Sequence, residues 1–172
     1  MSHDHHEHHN HEPRTMRAYV LTSSDAGFAG QREDISGPTA EAMLKDAGWE
    51  IVGYALLPDD FGMLTEKLRE ICDSGVTDLL VTTGGTGFSL RDCMPEVTAE
   101  VSERMVPGIP EAMRWNSLQI TPRAMLSRAA AGIRKNTLIV NLPGSPKAVK
   151  ENLEFILPAL DHAVDMMMGH GH

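Results

Sequence analysis

DLLVTTGGTGFSLRD, residues 78–92, is the stretch on which the fold turns. Asp78 to Thr82 is a short apolar run of the kind a buried strand needs. The TGGTG bend and a polar loop follow it, and then a helix opened near Pro95 that carries Val97, Val101 and Met105 toward a core. Strand, glycine bend and helix in that order make one unit of an α/β fold, and the unit recurs on both sides. Upstream, Arg17 to Thr22 is a strand, and Ser36, Gly37 and Pro38 open a helix, with Ser36 as its cap, that Gly48 closes. Trp49 to Leu57 is a second strand, after which Asp60 caps a helix with Leu64, Leu68 and Ile71 on one face and Gly75 at its end. Downstream, residues 107–133 are helical in composition but interrupted at Pro107, Pro110 and Pro122, which predicts two or three short helices. Thr137 to Leu142 is a last strand, PGSPK a turn, and Ala148 to about Met167 a long helix with Val149, Leu153, Ile156 and Leu160 aligned. This alternation predicts a mostly parallel sheet covered by helices on both faces.

The chain has 172 residues, 41% of them hydrophobic, which suits one domain, expected at 16–168. Its 15 basic and 24 acidic residues give a net charge of −9 without a basic cluster, which argues against a nucleic-acid partner. No run approaches the ~18 apolar residues of a membrane span, and the first dozen residues do not form a secretory leader. Cys72 and Cys93 stand far apart without CxxC spacing, so a reducing, cytoplasmic setting fits best. Residues 1–15 are expected to be a flexible tail: His3 to Glu12 hold six of the nine histidines with no apolar periodicity to bury them. Imidazoles so closely spaced bind nickel, zinc or copper. Residues 169–172 are expected to form a short flexible tail.

Ligands of open parallel sheets gather beyond the carboxyl ends of the strands. Four segments fall there: Ser23 to Asp25, Pro58 to Asp60, Thr83 to Asp92 and Pro143 to Pro146. Thr83, Gly84, Gly85, Thr86 and Gly87 leave several amides unobstructed, as a phosphate cradle requires. The loop is neither a Walker loop nor the GxGxxG fingerprint, since the lysine of the first and the last glycine of the second are missing. Asp59 and Asp92 are expected to face one crevice, where oxygen ligands beside phosphates suit Mg²⁺. An aspartate before a helix also has a plainer reading as its cap, which suits Asp60 better than Asp59 and is open for Asp92, and Asp92 could instead pair with Arg91 at the surface. Pro143, Gly144 and Ser145 present a second bend, with Ser145 as cap and Pro146 at the first helical position. Asp34, Ser36 and Gly37 make a comparable helix start. Arg114, Arg123 and Arg128 suit phosphate or carboxylate equally. No GxSxG occurs, and the one histidine within the folded segment, His162, lies on the terminal helix, so covalent catalysis is not expected.

Taken together, Asp25, DISGP at 34–38, PDD at 58–60, TTGGTGFSLRDCMPE at 82–96, PGIPEAMR at 107–114, PRAMLSRAAAGI at 122–133 and NLPGSPKAV at 141–149 resemble the MoaB/Mog family of molybdenum cofactor biosynthesis. The resemblance spans nearly all of Arg17 to Met167. It implies a three-layer α/β sandwich, assembled as a homotrimer or hexamer, that adenylylates molybdopterin with ATP and Mg²⁺ and releases pyrophosphate. The alternative it leaves is a molybdopterin-binding scaffold of the same fold without turnover. It implies Asp59 and Asp92 as catalytic, Mg²⁺-handling carboxylates and TGGTG as the phosphate loop. It further implies Asp34, Ser36, Gly37, Gly144 and Ser145 beside the pocket, and a molybdate insertase among the partners. TSSDAG stands where many members have VSDS or VSDR, and the histidine-rich head lies outside the family pattern.

Overall fold

The structure, a computed structural model, describes residues 14–169. The histidine-rich head lies outside those residues apart from Arg14 and Thr15, as do residues 170–172 of the C-terminal tail. In chain order the elements are β1 (Arg17–Ser23), α1 (Asp25–Phe28), α2 (Ser36–Asp46), β2 (Glu50–Leu57), α3 (Phe61–Ser74), β3 (Leu79–Thr83) and α4 (Met94–Val101). There follow β4 (Arg104–Met105), α5 (Gly108–Leu118), a 3-10 turn (Pro122–Leu126), β5 (Ala131–Arg134), β6 (Thr137–Leu142) and α6 (Pro146–Met167).

Alternation along the strands decides the layers. Ala18 and Val20 of β1, Leu79 and Val81 of β3, and Leu138, Val140 and Leu142 of β6 enter one core, where Ala40 and Leu44 of α2, Met113 of α5 and Leu153 and Leu160 of α6 meet them. Leu21, Leu80 and Ile139 point the other way, against Leu64, Leu68 and Ile71 of α3 and Met94, Val97 and Val101 of α4. Strands buried on both faces are apolar at most positions, hence the near-continuous runs in the sequence, with buried polar residues such as Thr82 and Asn141 needing partners. Burying one such side chain contributes about 1.5–3 kcal/mol before chain entropy is set against it.

The sheet order is β2-β1-β3-β6-β5-β4. β2, β1, β3 and β6 run parallel, whereas β5 and β4 are antiparallel additions at one edge. β1 has β2 on one side and β3 on the other, so the connections leaving β1 and β3 diverge and open a crevice at the carboxyl ends. Beneath it Asn141, fully buried, donates through Nδ2 to Thr82 Oγ1 (3.0 Å) and Thr98 Oγ1 (2.8 Å) and accepts from Ala130 N (3.1 Å). A buried amide with these partners ties β6 to β3 and α4.

Several local expectations hold. Asp60 accepts from Met63 N at 2.8 Å, Gly75 closes α3 in the left-handed region, and Ser145 accepts from Ala148 N ahead of Pro146. Others are corrected. Ser36 is not the cap of α2: it lies inside the helix, and Asp34 Oδ1 accepts from Gly37 N instead at 3.1 Å. Met105 is not on α4, which ends at Val101; it belongs to two-residue β4 and is half exposed. Pro110 does not interrupt a helix, because in the first turn of α5 its missing N–H has no intrahelical acceptor to lose. Residues 131–134, expected to be helical, form β5, joined to β6 by the tight bend Lys135-Asn136 with Lys135 at φ 50°. Among the described residues no helix is long and apolar enough to cross a membrane.

Asp78, immediately before β3, is 3% exposed and accepts from Arg17 N (2.9 Å), Arg17 Nη2 (3.0 Å) and Arg14. Burial alone would raise its pKa; the hydrogen bonds from Arg17 and Arg14 prevail and hold it below the usual carboxylate value. A depressed carboxylate stabilises the fold above its unfolded pKa of about 3.9 and loses that contribution as pH falls through the lower folded value. Urea denaturation across pH should therefore show wild type more stable than Asp78→Asn near neutrality, with the gap closing below about pH 4.

Candidate functional site

A cavity of ≈ 490 Å³ opens at the carboxyl ends of β1 and β3, and Asp34, Ser36, Asp59, Thr83, Gly84, Gly85, Asp92, Gly144 and Ser145 all line it. Residues from four separate loops thus reach one space. Four expected residues do not line that wall: Thr86, Gly87 and Pro143 line an adjoining pocket of ≈ 300 Å³ with Met113, Leu126 and Asn152, and Gly37 lines neither. Gly37 packs beneath the cavity, where a Cβ would meet Thr22 Oγ1 at 2.7 Å and Tyr54 Cε2 at 2.8 Å.

The floor is backbone. Gly84 and Gly85 adopt φ 84° and 72°, conformations that side-chain-bearing residues rarely adopt. A Cβ on Gly84 would collide with Ser23 O, and one on Gly144 would stand 3.4 Å from Gly84 Cα. Gly84 N donates to Leu142 O at 3.2 Å, and Ser36 Oγ donates to Gly144 O at 2.6 Å, which fixes the two bends against each other.

The carboxylates are held by different means. Asp59 Oδ1 accepts from Ser23 Oγ at 2.6 Å and its Oδ2 from Asp25 N at 3.1 Å, while its own N–H donates to Asp25 Oδ1 at 2.9 Å. Asp92 accepts on Oδ2 from Ser89 N at 3.0 Å within its own loop. Asp25, the third acid here, is held below the usual carboxylate range first by the hydrogen bonds from Arg91 and then by the Asp59 amide. Tyr54 donates to Asp34 Oδ2, and burial followed by that bond pushes its phenol well up. Cys93, beside Asp92, is raised chiefly by burial, which disfavours its thiolate.

Of the three arginines suited to phosphate, two are engaged otherwise. Arg114 donates to Ser127 O and Ala129 O at 3.3 and 3.0 Å. Arg128 donates from Nε to Gly87 O (2.7 Å) and from Nη2 to Asp92 O (3.0 Å), pairs with Glu96, and gives its backbone N–H to Thr86 O. One guanidinium therefore staples both ends of the loop bearing Asp92. Arg123 lines the adjoining pocket. Sequence reasoning missed Arg32, the one basic side chain among the described residues that lines the larger cavity. It stands in the loop segment QRED, where no periodicity singles it out.

With Glu33, Asp34, Asp59 and Asp92 against Arg32, the cavity wall is acidic, and a polyphosphate would enter it with a counter-cation. No group of three or more His, Cys, Asp or Glu side chains among the described residues encloses a metal. Two carboxylates on one cavity fit Mg²⁺ instead, which takes one or two carboxylates and completes its shell with phosphate and water.

Residues 19–162 match the family model described as a probable molybdopterin binding domain. The chain is 41% identical over 159 residues to a molybdopterin adenylyltransferase of Helicobacter pylori strain J99, covering 91% of this chain and 90% of that one. It is 39% identical to the molybdopterin adenylyltransferase of Escherichia coli K12, covering 87% and 78%. Among solved structures, the molybdopterin biosynthesis enzyme MoaB of Thermus thermophilus superposes with a TM-score of 0.85 at 44% identity, covering 90% of this chain and 98% of that one.

Gly84→Ala and Gly48→Ala together isolate the contact at the cavity floor. Both would place alanine at positive φ, at about 1–2 kcal/mol, but a Cβ on Gly48 has nothing within 4 Å. Equilibrium denaturation should show Gly84→Ala losing distinctly more stability than Gly48→Ala.

Proposed function

The chain belongs to the MoaB/Mog family of molybdenum cofactor biosynthesis proteins, and from that premise we infer that it is a molybdopterin adenylyltransferase, moving AMP from ATP to the terminal phosphate of molybdopterin with release of pyrophosphate. The observation that carries the reading is the convergence of Asp59 and Asp92, 33 positions apart in the chain, on one glycine-floored cavity.

An oxygen of the pterin phosphate attacks the α-phosphorus of ATP, and the bond from that phosphorus to the β-phosphate bridging oxygen breaks. The nucleophile needs no base of its own, since a phosphate monoester with a second pKa near 6 is already anionic at neutral pH. Catalysis is then positioning and charge stabilisation. Gly84 and Gly85 admit phosphate close to backbone, Ser145 and the first turn of α6 offer donors on the facing wall, and Arg32 supplies a positive charge. Asp59 and Asp92 would hold Mg²⁺ with the phosphates, and the ion would neutralise charge developing on the transferred group. The adjoining pocket, apolar at Pro110, Met113 and Leu126, suits the flat ring of one substrate.

A cytoplasmic homotrimer belongs to the same reading. In its support, Trp115, Leu118, Ile120 and Phe155 stay exposed on α5, the bend after it and α6, with the Trp115 and Phe155 rings 6.5 Å apart, as an apolar contact face would have them. The six histidines of residues 3–11 would add an affinity for nickel or zinc.

Purified protein mixed with molybdopterin, ATP and Mg²⁺ should yield the adenylylated pterin and pyrophosphate. Asp59→Ala and Asp92→Ala, folded by circular dichroism, should each lower the rate by about 100-fold or more. Variants as fast as wild type would remove the site assignment, and pterin retained without any nucleotide-dependent product would show a scaffold.

A further inference from the structure

We propose that Arg91 and Asp25 form a positioning pair that couples the two carboxylates across the mouth of the cavity and fixes their separation. The proposal rests on the reading of Asp59 and Asp92 as the reacting pair and assigns work to two residues outside it. Arg91 forks onto both oxygens of Asp25, Nε to Oδ2 at 2.9 Å and Nη2 to Oδ1 at 3.0 Å. The same Asp25 Oδ1 accepts the Asp59 amide at 2.9 Å, and Asp25 N donates back to Asp59 Oδ2 at 3.1 Å. Arg91 is joined by one peptide bond to Asp92. A continuous chain of contacts therefore runs from Asp59 through Asp25 and Arg91 to Asp92, linking the loops that follow β1, β2 and β3.

Stability does not account for this arrangement. The side chains are 60% and 45% exposed, and pairs so wet contribute little to folding while ordering two side chains costs entropy. A planar fork does fix direction, which a point charge cannot. Asp92 is already stapled from behind by Arg128 through Gly87 O and Asp92 O. Arg91 pulls the same loop forward, toward Asp59. With one anchor on each side, the loop is defined across the cavity as well as along it. An error of about 1 Å at a reacting group can cost a hundredfold in rate, so a bond of small folding value can have a large catalytic one.

The test compares wild type, Asp25→Asn, Arg91→Ala, the double variant and Arg91→Lys in the adenylylation assay, with hydrogen exchange at the Ser89 and Asp92 amides. Asn at 25 can still accept the Asp59 amide but loses the ion pair. Asp25→Asn and Arg91→Ala should each lower kcat about 10- to 100-fold with the KM for ATP moved less than about threefold, and leave the melting temperature within about 4 °C. The double variant should be no slower than the worse single one, because both remove the same link. Arg91→Lys, which keeps charge but not the fork, should fall between. Exchange at the two amides should quicken about tenfold in Arg91→Ala. Wild-type kcat in either single variant, losses that multiply in the double, or a rise in KM with kcat unchanged, the mark of a direct phosphate contact, would overturn the pair. Should wild type itself form no product, the adenylyltransferase reading falls, and exchange decides the pair: unchanged rates overturn it, faster rates retain it as a strap on the loop.

Discussion

The site depends on a contact made without side chains. Where the chain leaves β3 and β6, Gly84 and Gly144 come together backbone to backbone, and Gly84 also presses on Ser23 O at the end of β1. Three parallel strands thereby end in bends that meet at Gly84, where a single methyl group would collide with Ser23 O. Because the strands are parallel, their exits share one edge; because the bends lack Cβ atoms, that edge is a concave floor with open amides. The two carboxylates, the Ser36 hydroxyl and the start of α6 are arranged around that floor.

Polar groups below and beside it do different jobs. Asn141, Thr82 and Thr98 lie in the dry interior, where a satisfied network fixes how β3 and β6 register with α4. Arg128 and Arg91 lie nearer water and act on loops rather than on layers. An acidic cavity in an acidic chain is a poor trap for a bare polyphosphate, which would need a counter-cation to enter it.

Most of the fold was legible because doubly buried strands are near-continuously apolar and because helix ends have their own chemistry at Asp60, Gly75 and Ser145. Residues 129–134 misled because alanine-rich stretches favour helices, whereas here edge pairing with β6 overrides propensity. The turn was signalled only by Lys135-Asn136. Ser36 looked like a cap because serine before Gly-Pro usually is one; Asp34, two residues earlier, reached the free amide first. The convergence of Asp59 and Asp92 was readable from their places after strands, whereas Asp34 was placed beside the pocket only by the family resemblance. The roles of Arg91 and Arg128 were not, since an arginine's partner is set by tertiary geometry, and both engage groups more than 30 positions away.

The antiparallel edge has a further effect. β4 is two residues long, both exposed, one of them Arg104, and it closes that side of the sheet with a stub too short to template another strand. Across the molecule β2 ends the sheet with eight residues. Growth by strand addition could start there but could not propagate through the far side, so crowding would give edge-to-edge pairs through β2 rather than fibrils.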